Sequence, residues 1–254
     1  MLNWFKQILS RKDNMSKESP TVFHITHYKA GSQWVYAVLS QAFQGKTIRP
    51  EENANHCTKV PIMPGMIYPC VYLTRKEFES IKMPMDIRMF ILIRDLRDTL
   101  VSQYFSVKVS HKIMGPAMRD LRNSLNSKGL VEGLIYLMEK RLPVSANIQK
   151  SWIFSDHLIL RYEDLIENEY YEFKRMFDYC GFDLDEAGRQ KAVEINSFEK
   201  RTGRSRGEED INSHHRKGIA GDWKNYFNDR LKDRFKEKYA QLLIDTGYEK
   251  DDSW

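Results

Sequence analysis

"THYKAGSQW" (residues 26–34) joins an apolar run, "TVFHIT" (21–26), to a stretch with helical spacing, "SQWVYAVLSQAF" (32–43). A strand, a short turn holding lysine and glycine, and then a helix N-terminus is the layout in which nucleotide-binding proteins keep their phosphate loops. The Walker order G-x-x-x-x-G-K-[ST] is missing, because Lys29 stands before Gly31. The ligand must therefore want its cation on the strand side of the glycine.

Downstream of this turn the pattern keeps alternating. Residues 44–70 are rich in Pro, Asn and Gly and read as a long loop, a type that is usually functional in a compact domain. A short strand is expected near 70–73, followed by a helical turn, "RKEFESI". "RMFILIRD" (88–95) is a continuous apolar run, the signature of a strand buried on both faces. Asp95 is placed to N-cap the helix "LRDTLVSQYFSVKVS". Two further helices are expected at about 127–141 and 143–154. "HLILRYEDL" (157–165) reads as a strand, and "ENEYYEFKRMFDYCG" as a helix stopped by Gly181. Another helix covers "DEAGRQKAVEIN". Residues 201–223 lack apolar periodicity and form a loop. Asn228 opens the last helix. Strand–helix alternation predicts one α/β domain with a central, mainly parallel sheet flanked by helices, whose ligands sit at the carboxyl ends of the strands.

Composition narrows the partners. The 254 residues are 41% hydrophobic and 12% aromatic, and 40 Lys+Arg against 35 Asp+Glu leave a net charge of +5. No apolar run reaches membrane-span length. No long basic block marks a nucleic-acid footprint, so a small anionic ligand is the better match. Cys57, Cys70 and Cys180 are too scattered for a metal site or a disulfide framework. That fits a reducing compartment, and a cytoplasmic location is expected. Residues 1–20 read as an extension ahead of a domain at 21–254. Leu2, Trp4, Phe5, Ile8 and Leu9 share one face of a short helix. It is read as a loose extension rather than a membrane or partner contact, with Met15 as an alternative start.

Three strand ends carry the chemistry. At the first, amides around Gly31, Ser32 and Gln33 lie at a helix N-terminus that favours an anion. Lys29 adds a charge, the Ser32 hydroxyl a donor, and Trp34 a flat face. The alternative is a plain turn with an exposed lysine. At the second, Arg94 ends a buried strand and offers a fork suited to phosphate, with Ser102 eight residues on. Arg97 and Asp98 are expected to be ordinary surface residues of that helix. At the third, "HRKGIAGDWKNYF" sets Arg216, Lys217 and Gly218 in a loop that Trp223, Tyr226 and Phe227 would pin to the body, making a second anion cradle. The alternative there is a solvated basic loop.

Together these segments resemble the sulfotransferases that use 3′-phosphoadenosine 5′-phosphosulfate (PAPS). The family's P-K-S-G-T-T-W loop stands here as "YKAGSQW". Its arginine-to-serine element is Arg94 to Ser102, its Y-E-D-L is "YEDL" (162–165), and its R-K-G-x-x-G-D-W-K-N signature is complete as "RKGIAGDWKN" (216–225). The resemblance covers about residues 21–245 and implies a fold with a phosphate loop like that of P-loop kinases. It implies sulfuryl transfer to a hydroxyl or amine of a small molecule, with PAP (3′,5′-ADP) as product and no metal. It further implies that Lys29 binds the bridging oxygen and 5′-phosphosulfate, that Ala30, Gly31, Ser32 and Gln33 belong to the 5′-phosphate loop, and that Trp34 packs on adenine. Arg94, Ser102, Arg216, Lys217 and Gly218 would hold the 3′-phosphate. Tyr162 would reach the adenine edge and Phe198 would stack on it, with Asn196 standing where the family has a threonine.

The chain departs from the family at the general base. The histidine of the K-T-H-L stretch is replaced in "CVYLT" (70–74), which offers Tyr72. His56, in the long loop, and His111, beyond the Ser102 helix, are the better candidates; His27 flanks the phosphate loop. "NDRLKD" (228–233) stands where the family's dimer signature would be, which leaves the oligomeric state open. The acceptor pocket is expected to be roofed by 44–70, 103–126 and 203–215. These supply Met63, Met66, Tyr68, Tyr104, Phe105 and His111, along with Glu51, Glu52, Glu208, Glu209 and Asp210. The carboxylates point to a polar acceptor, cationic or hydroxylated. Two other function classes stay open: a P-loop kinase of small molecules, which lacks visible Mg²⁺ ligands, and a non-catalytic nucleotide binder, which has no use for Lys29.

Overall fold

A computed structural model describes residues 19–50, 56–59, 61–113 and 115–254. The extension read at 1–20 falls almost wholly outside them, as do Glu51 and Glu52. Four strands form one sheet in the order β2–β1–β3–β4: β1 Thr21–Thr26, β2 Ile67–Val71, β3 Ile87–Ile93 and β4 Leu158–Arg161. Every pairing is parallel, with Phe23 beside Met89 and Tyr68, and Leu92 beside Leu160. All carboxyl ends therefore point to one side of the molecule, which collects the segments that follow each strand.

Period-two alternation sorts the sheet residues between two cores. Val22, Phe90, Leu92 and Leu160 face α1 (Ser32–Ala42) and α8 (Glu169–Cys180), packing on Val35, Leu39, Phe173 and Phe177. Phe23, Ile25, Met89, Ile91 and Ile93 face the other way, against Phe78 of α2 (Arg75–Glu79) and Trp152 of α6 (Leu142–Trp152). Both faces are covered, so β1 is buried along its whole length. A third core lies off the sheet, where α3 (Leu96–Phe105), α5 (Leu130–Lys140) and α11 (Asp229–Asp245) close around Trp223 and Phe227.

Several boundaries differ from the sequence reading. The long loop ends earlier, because β2 begins at Ile67 and carries Pro69 inside it. An edge strand tolerates proline, since one row of its N–H groups has no ladder partner. A helix not foreseen, α4 (Pro116–Asn126), starts with proline in its first turn. The strand expected over 157–165 stops at Arg161, and "YEDL" opens a short helix, α7 (Tyr162–Glu167). α9 (Glu186–Glu194) and the short α10 (Phe198–Thr202) lead into the irregular 203–221 segment. The caps read from sequence hold. The Asp95 carboxylate accepts the Arg97 N–H, Asn228 Oδ1 accepts the Leu231 N–H, and Gly181 ends α8 at φ 66°.

Candidate active site

A cavity of about 690 Å³ opens at the carboxyl ends of β1, β3 and β4. Lys29, Gly31, Ser32, Gln33, Trp34, Arg94, Ser102, Tyr162, Phe198, Arg216, Lys217 and Gly218 all line it. Three segments far apart in sequence thus meet on one wall.

The first segment turns sharply. Lys29 adopts φ 68°, in the left-handed region that non-glycine residues rarely occupy, and Gly31 follows at φ 98° as the N-cap of α1. A Cβ on Gly31 would stand 2.8 Å from the Tyr162 ring, so the loop backbone lies directly against "YEDL". The first-turn amides of α1 are of the kind a helix leaves unpaired. Ala30 is buried within the loop, and its N–H donates to His27 O at 3.4 Å; it is not among the residues lining the cavity. Burial, and then the charges of Arg94 and Arg216, lower the Lys29 ammonium to about 8.

Arg94 is only partly a free fork. Its guanidinium donates to Lys29 O at 3.2 Å and to Ile219 O at 3.1 Å, and it lies 4.3 Å above the Tyr162 ring. One side chain thus joins the first segment to the third. Its Nε is buried without a protein partner.

In the third segment Arg216 pairs with Asp222 and Glu209, and Lys217 donates to Asp222 at 2.7 Å. Burial pushes the Asp222 carboxyl up, but the bonds from Lys217 and Arg216 outweigh it and hold it below the usual carboxylate range. The segment is anchored by Asp98, which accepts the amides of Gly221 and Trp223 at 2.7 and 2.9 Å. Asp98 and Arg97 are therefore not surface residues; they are 1% and 2% exposed. Arg97 lies against the rings of both Trp223 and Trp254 and bonds to Asp95 and Glu249. The Gly218 backbone touches the Phe198 ring so closely that a Cβ would stand 2.6 Å from it. Sequence reasoning passed over Arg206, which donates to Gly218 O, pairs with Glu169, and sits 5.4 Å from the Trp34 ring centroid.

Trp34 is largely buried, edge-on to Tyr162 and Phe173, with its indole N–H unpartnered. The Asn196 side-chain amide donates back to Ala192 O at 2.9 Å, and Asn196 is not among the residues lining the cavity.

The histidines separate by position. His27 is fully buried; its Nδ1–H donates to Tyr28 O while Nε2 accepts the Arg94 amide, and burial takes it down to about 4. It fixes the loop rather than serving the cavity. Tyr72 bonds to the Ser32 hydroxyl at 2.8 Å, and burial raises its phenol far out of base range. His111 lines the cavity, its imidazole lowered by burial and by Lys29, Arg141 and Arg122. His56 lies in the turn His56–Thr58, and its side chain falls outside the described residues. The residue sequence reasoning missed is His214. It lines the same cavity, and Lys29 first, then burial and its histidine neighbours, hold it at about 3. The H-H-R-K run was its only signal.

Of the carboxylates expected near the acceptor, Glu51 and Glu52 lie outside the described residues, and the other three are engaged elsewhere. Glu209 pairs with Arg216, Glu208 accepts the Ser205 amide, and Asp210 accepts the Asn212 amide. Of the apolar candidates, Tyr104 is buried in the third core, Phe105 packs against Tyr226, and Tyr68 accepts the Met63 amide within the second core.

A parallel sheet with a glycine-containing turn after its first strand, facing a second basic loop, is the layout of an α/β nucleotide-binding domain. A sulfotransferase domain profile matches residues 19–247, and the chain belongs to that family. Human sulfotransferase 1C2 is 27% identical over 175 residues, 63% of this chain and 56% of that protein's length. Rat sulfotransferase 1A1 is 22% identical across 98% of this chain and 93% of its own. Mouse sulfotransferase SULT7A1, solved with PAP, superposes with a TM-score of 0.64 at 17% identity, covering 94% of this chain and 88% of that one. The chain is accordingly a PAPS-dependent sulfotransferase, and a kinase or a non-catalytic nucleotide binder is not favoured. No helix among the described residues is long and apolar enough to cross a membrane.

Proposed function

We propose that the cavity holds PAPS with its phosphosulfate end at Lys29–Gln33 and its 3′-phosphate at Arg216–Gly218, and that the acceptor is a small polar molecule reaching the same cavity. The carrying observation is that both basic segments line one cavity and are joined through Arg94. The residues fit such a ligand. The unpartnered N–H groups of Trp34 and Arg94 offer donors, and Gly31 and Gly218 bring backbone to the wall where a side chain would clash.

When bound, PAPS supplies an activated sulfuryl group with a phosphate as leaving group. Lys29 offsets the charge that builds on that phosphate, and the α1 N-terminus adds its dipole. Ser32 is held toward Tyr72 by their hydrogen bond, which orients its hydroxyl at the loop. A neutral imidazole, His111 or His214, takes the acceptor's proton.

Ligand-dependent melting tests the reading. Stabilisation by 3′,5′-ADP but not by ATP–Mg²⁺ is expected; the reverse order would assign the cavity to a kinase.

A further inference from the structure

The donor-binding cations form one connected group. Arg94 bonds to the backbone of both phosphate segments, and Arg216 and Lys217 share Asp222. Two more arginines on the cavity wall stand apart from it. Arg49 belongs to the loop after α1, and Arg141 to the junction of α5 and α6. Neither side chain has a hydrogen-bond or ion-pair partner among the described residues.

The rest of the wall sharpens this. Among the described residues lining the cavity there is no aspartate or glutamate. The basic groups on this side of the cavity are His111, His214, His215 and Lys29, with Arg49 and Arg141, and Arg122 and Arg201 next to the histidines. His111 is kept neutral by burial and by Lys29, Arg141 and Arg122, and His214 mainly by Lys29. Lys29, Arg49, Arg141, Arg216 and Lys217 on the wall make the described interior electropositive. A low-dielectric cleft of one sign focuses its field and draws in ligands of the opposite sign. Tyr28 and Tyr72, stacked at 4.4 Å, and Met118 complete the wall with surface for a carbon skeleton.

We propose that the acceptor is itself an anion: a hydroxyl- or amine-bearing small molecule that also carries an oxyanion group, recognised by Arg49 and Arg141. A guanidinium is suited to this, because its planar fork matches carboxylate and related groups with two parallel bonds. A cationic acceptor would meet like charge from the described residues of the wall. The inference rests on the sulfotransferase reading of the cavity and adds the class of acceptor.

Matched probes test it: 3-(4-hydroxyphenyl)propionate against its amide, and 4-hydroxybutyrate against its amide. Each is titrated calorimetrically into the free and the PAP-loaded protein, and each is assayed for sulfation. The carboxylate of at least one pair is expected to bind the PAP-loaded protein about tenfold more tightly than the amide, a difference of about 1.4 kcal/mol. That preference should shrink as salt is added and be lost in the Arg49→Gln/Arg141→Gln double variant. Equal or better binding of both amides, or a preference that survives the double variant, overturns the proposal. Because binding is read without turnover, and donor recognition is read separately by melting with PAP, failure of the acceptor class is distinguishable from failure of the sulfotransferase reading.

Discussion

The carboxylate of Asp98 accepts the backbone N–H of Gly221 at 2.7 Å, across 123 residues of sequence. Its other oxygen takes the Trp223 amide, so one buried acid in α3 sets the position of the loop that carries Arg216 and Lys217. Asp98→Ala should therefore weaken 3′,5′-ADP about tenfold or more, with a smaller loss for 5′-AMP. Removing one partner of a buried charge pair is costly. Melting of the variant should accompany the calorimetry; unchanged 3′,5′-ADP affinity in a folded variant would remove this positioning role.

Arg94 and Arg216 should behave differently. Arg216→Ala is expected to cost affinity for 3′,5′-ADP and to spare 5′-AMP. Arg94→Ala should weaken both, because Arg94 also holds the Lys29 carbonyl. A purely 3′-selective loss at Arg94 would mean that this backbone bond is incidental.

Lys29→Ala should lower turnover by about 10²–10³, the usual cost of removing a donor aimed at developing charge, with a much smaller loss of 3′,5′-ADP affinity. A proton signal should accompany nucleotide binding. The free ammonium titrates near 8, and bound phosphate favours its charged form and raises that value. Binding should take up protons at pH 8 to 9 and weaken as pH rises above 8. Calorimetry in two buffers of different ionisation enthalpy reads this, and Lys29→Ala should abolish it.

The base can be assigned by replacing His111 and His214 singly with Ala. Loss of a general base typically costs ~10²–10⁴ in rate. Both imidazoles are held below their ordinary value, so the acid limb of kcat/KM should fall below pH 6.5. If neither change costs more than about tenfold, the proton goes elsewhere or the acceptor needs no base.

Acid stability follows from His24. It is fully buried, stacked on Phe90 at 4.9 Å, accepts the Cys70 amide, and is taken down by burial to about 3. The unfolded chain binds its proton near 6.5, so stability is present above that pH and falls as pH drops from 6.5 toward 3. His24 alone should account for roughly 2 kcal/mol between pH 7 and pH 5. Denaturant titrations should show a shallower pH dependence for His24→Gln; an equal slope would locate the effect elsewhere.

The phosphate loop, the parallel sheet and the basic loop were legible because each rests on a local signal: an apolar run, a glycine at a turn, a cation beside it. Long-range contacts were not. Asp98 and Arg97 look like surface charges until the chain returns with Gly221, Trp223 and Glu249 to bury them. Asn196 fits its motif by neighbourhood, yet its amide is satisfied one helical turn back. β2 was placed late because Pro69 reads as a break, and only the strand's edge position makes it harmless. His214 was hidden in a loop without periodicity, where nothing local says which way a side chain faces. For Glu208, Glu209 and Asp210 the charge was visible, and the arginine and amides they bind were not.

The Arg94 bridge makes the protein a gauge as well as a magnet. Two basic jaws left independent would close on any polyanion. Held through the Arg94 guanidinium, with Arg201 spanning Gln33 O and His215 as a second tie, they sit at a set span, like a calliper locked by its screw. A nucleotide with all its phosphates on one side of the ribose fills a single jaw and leaves the other empty. Selectivity for a ligand charged at both ends then comes from spacing, and it would loosen if the screw were removed, even with every cation of the jaws still in place.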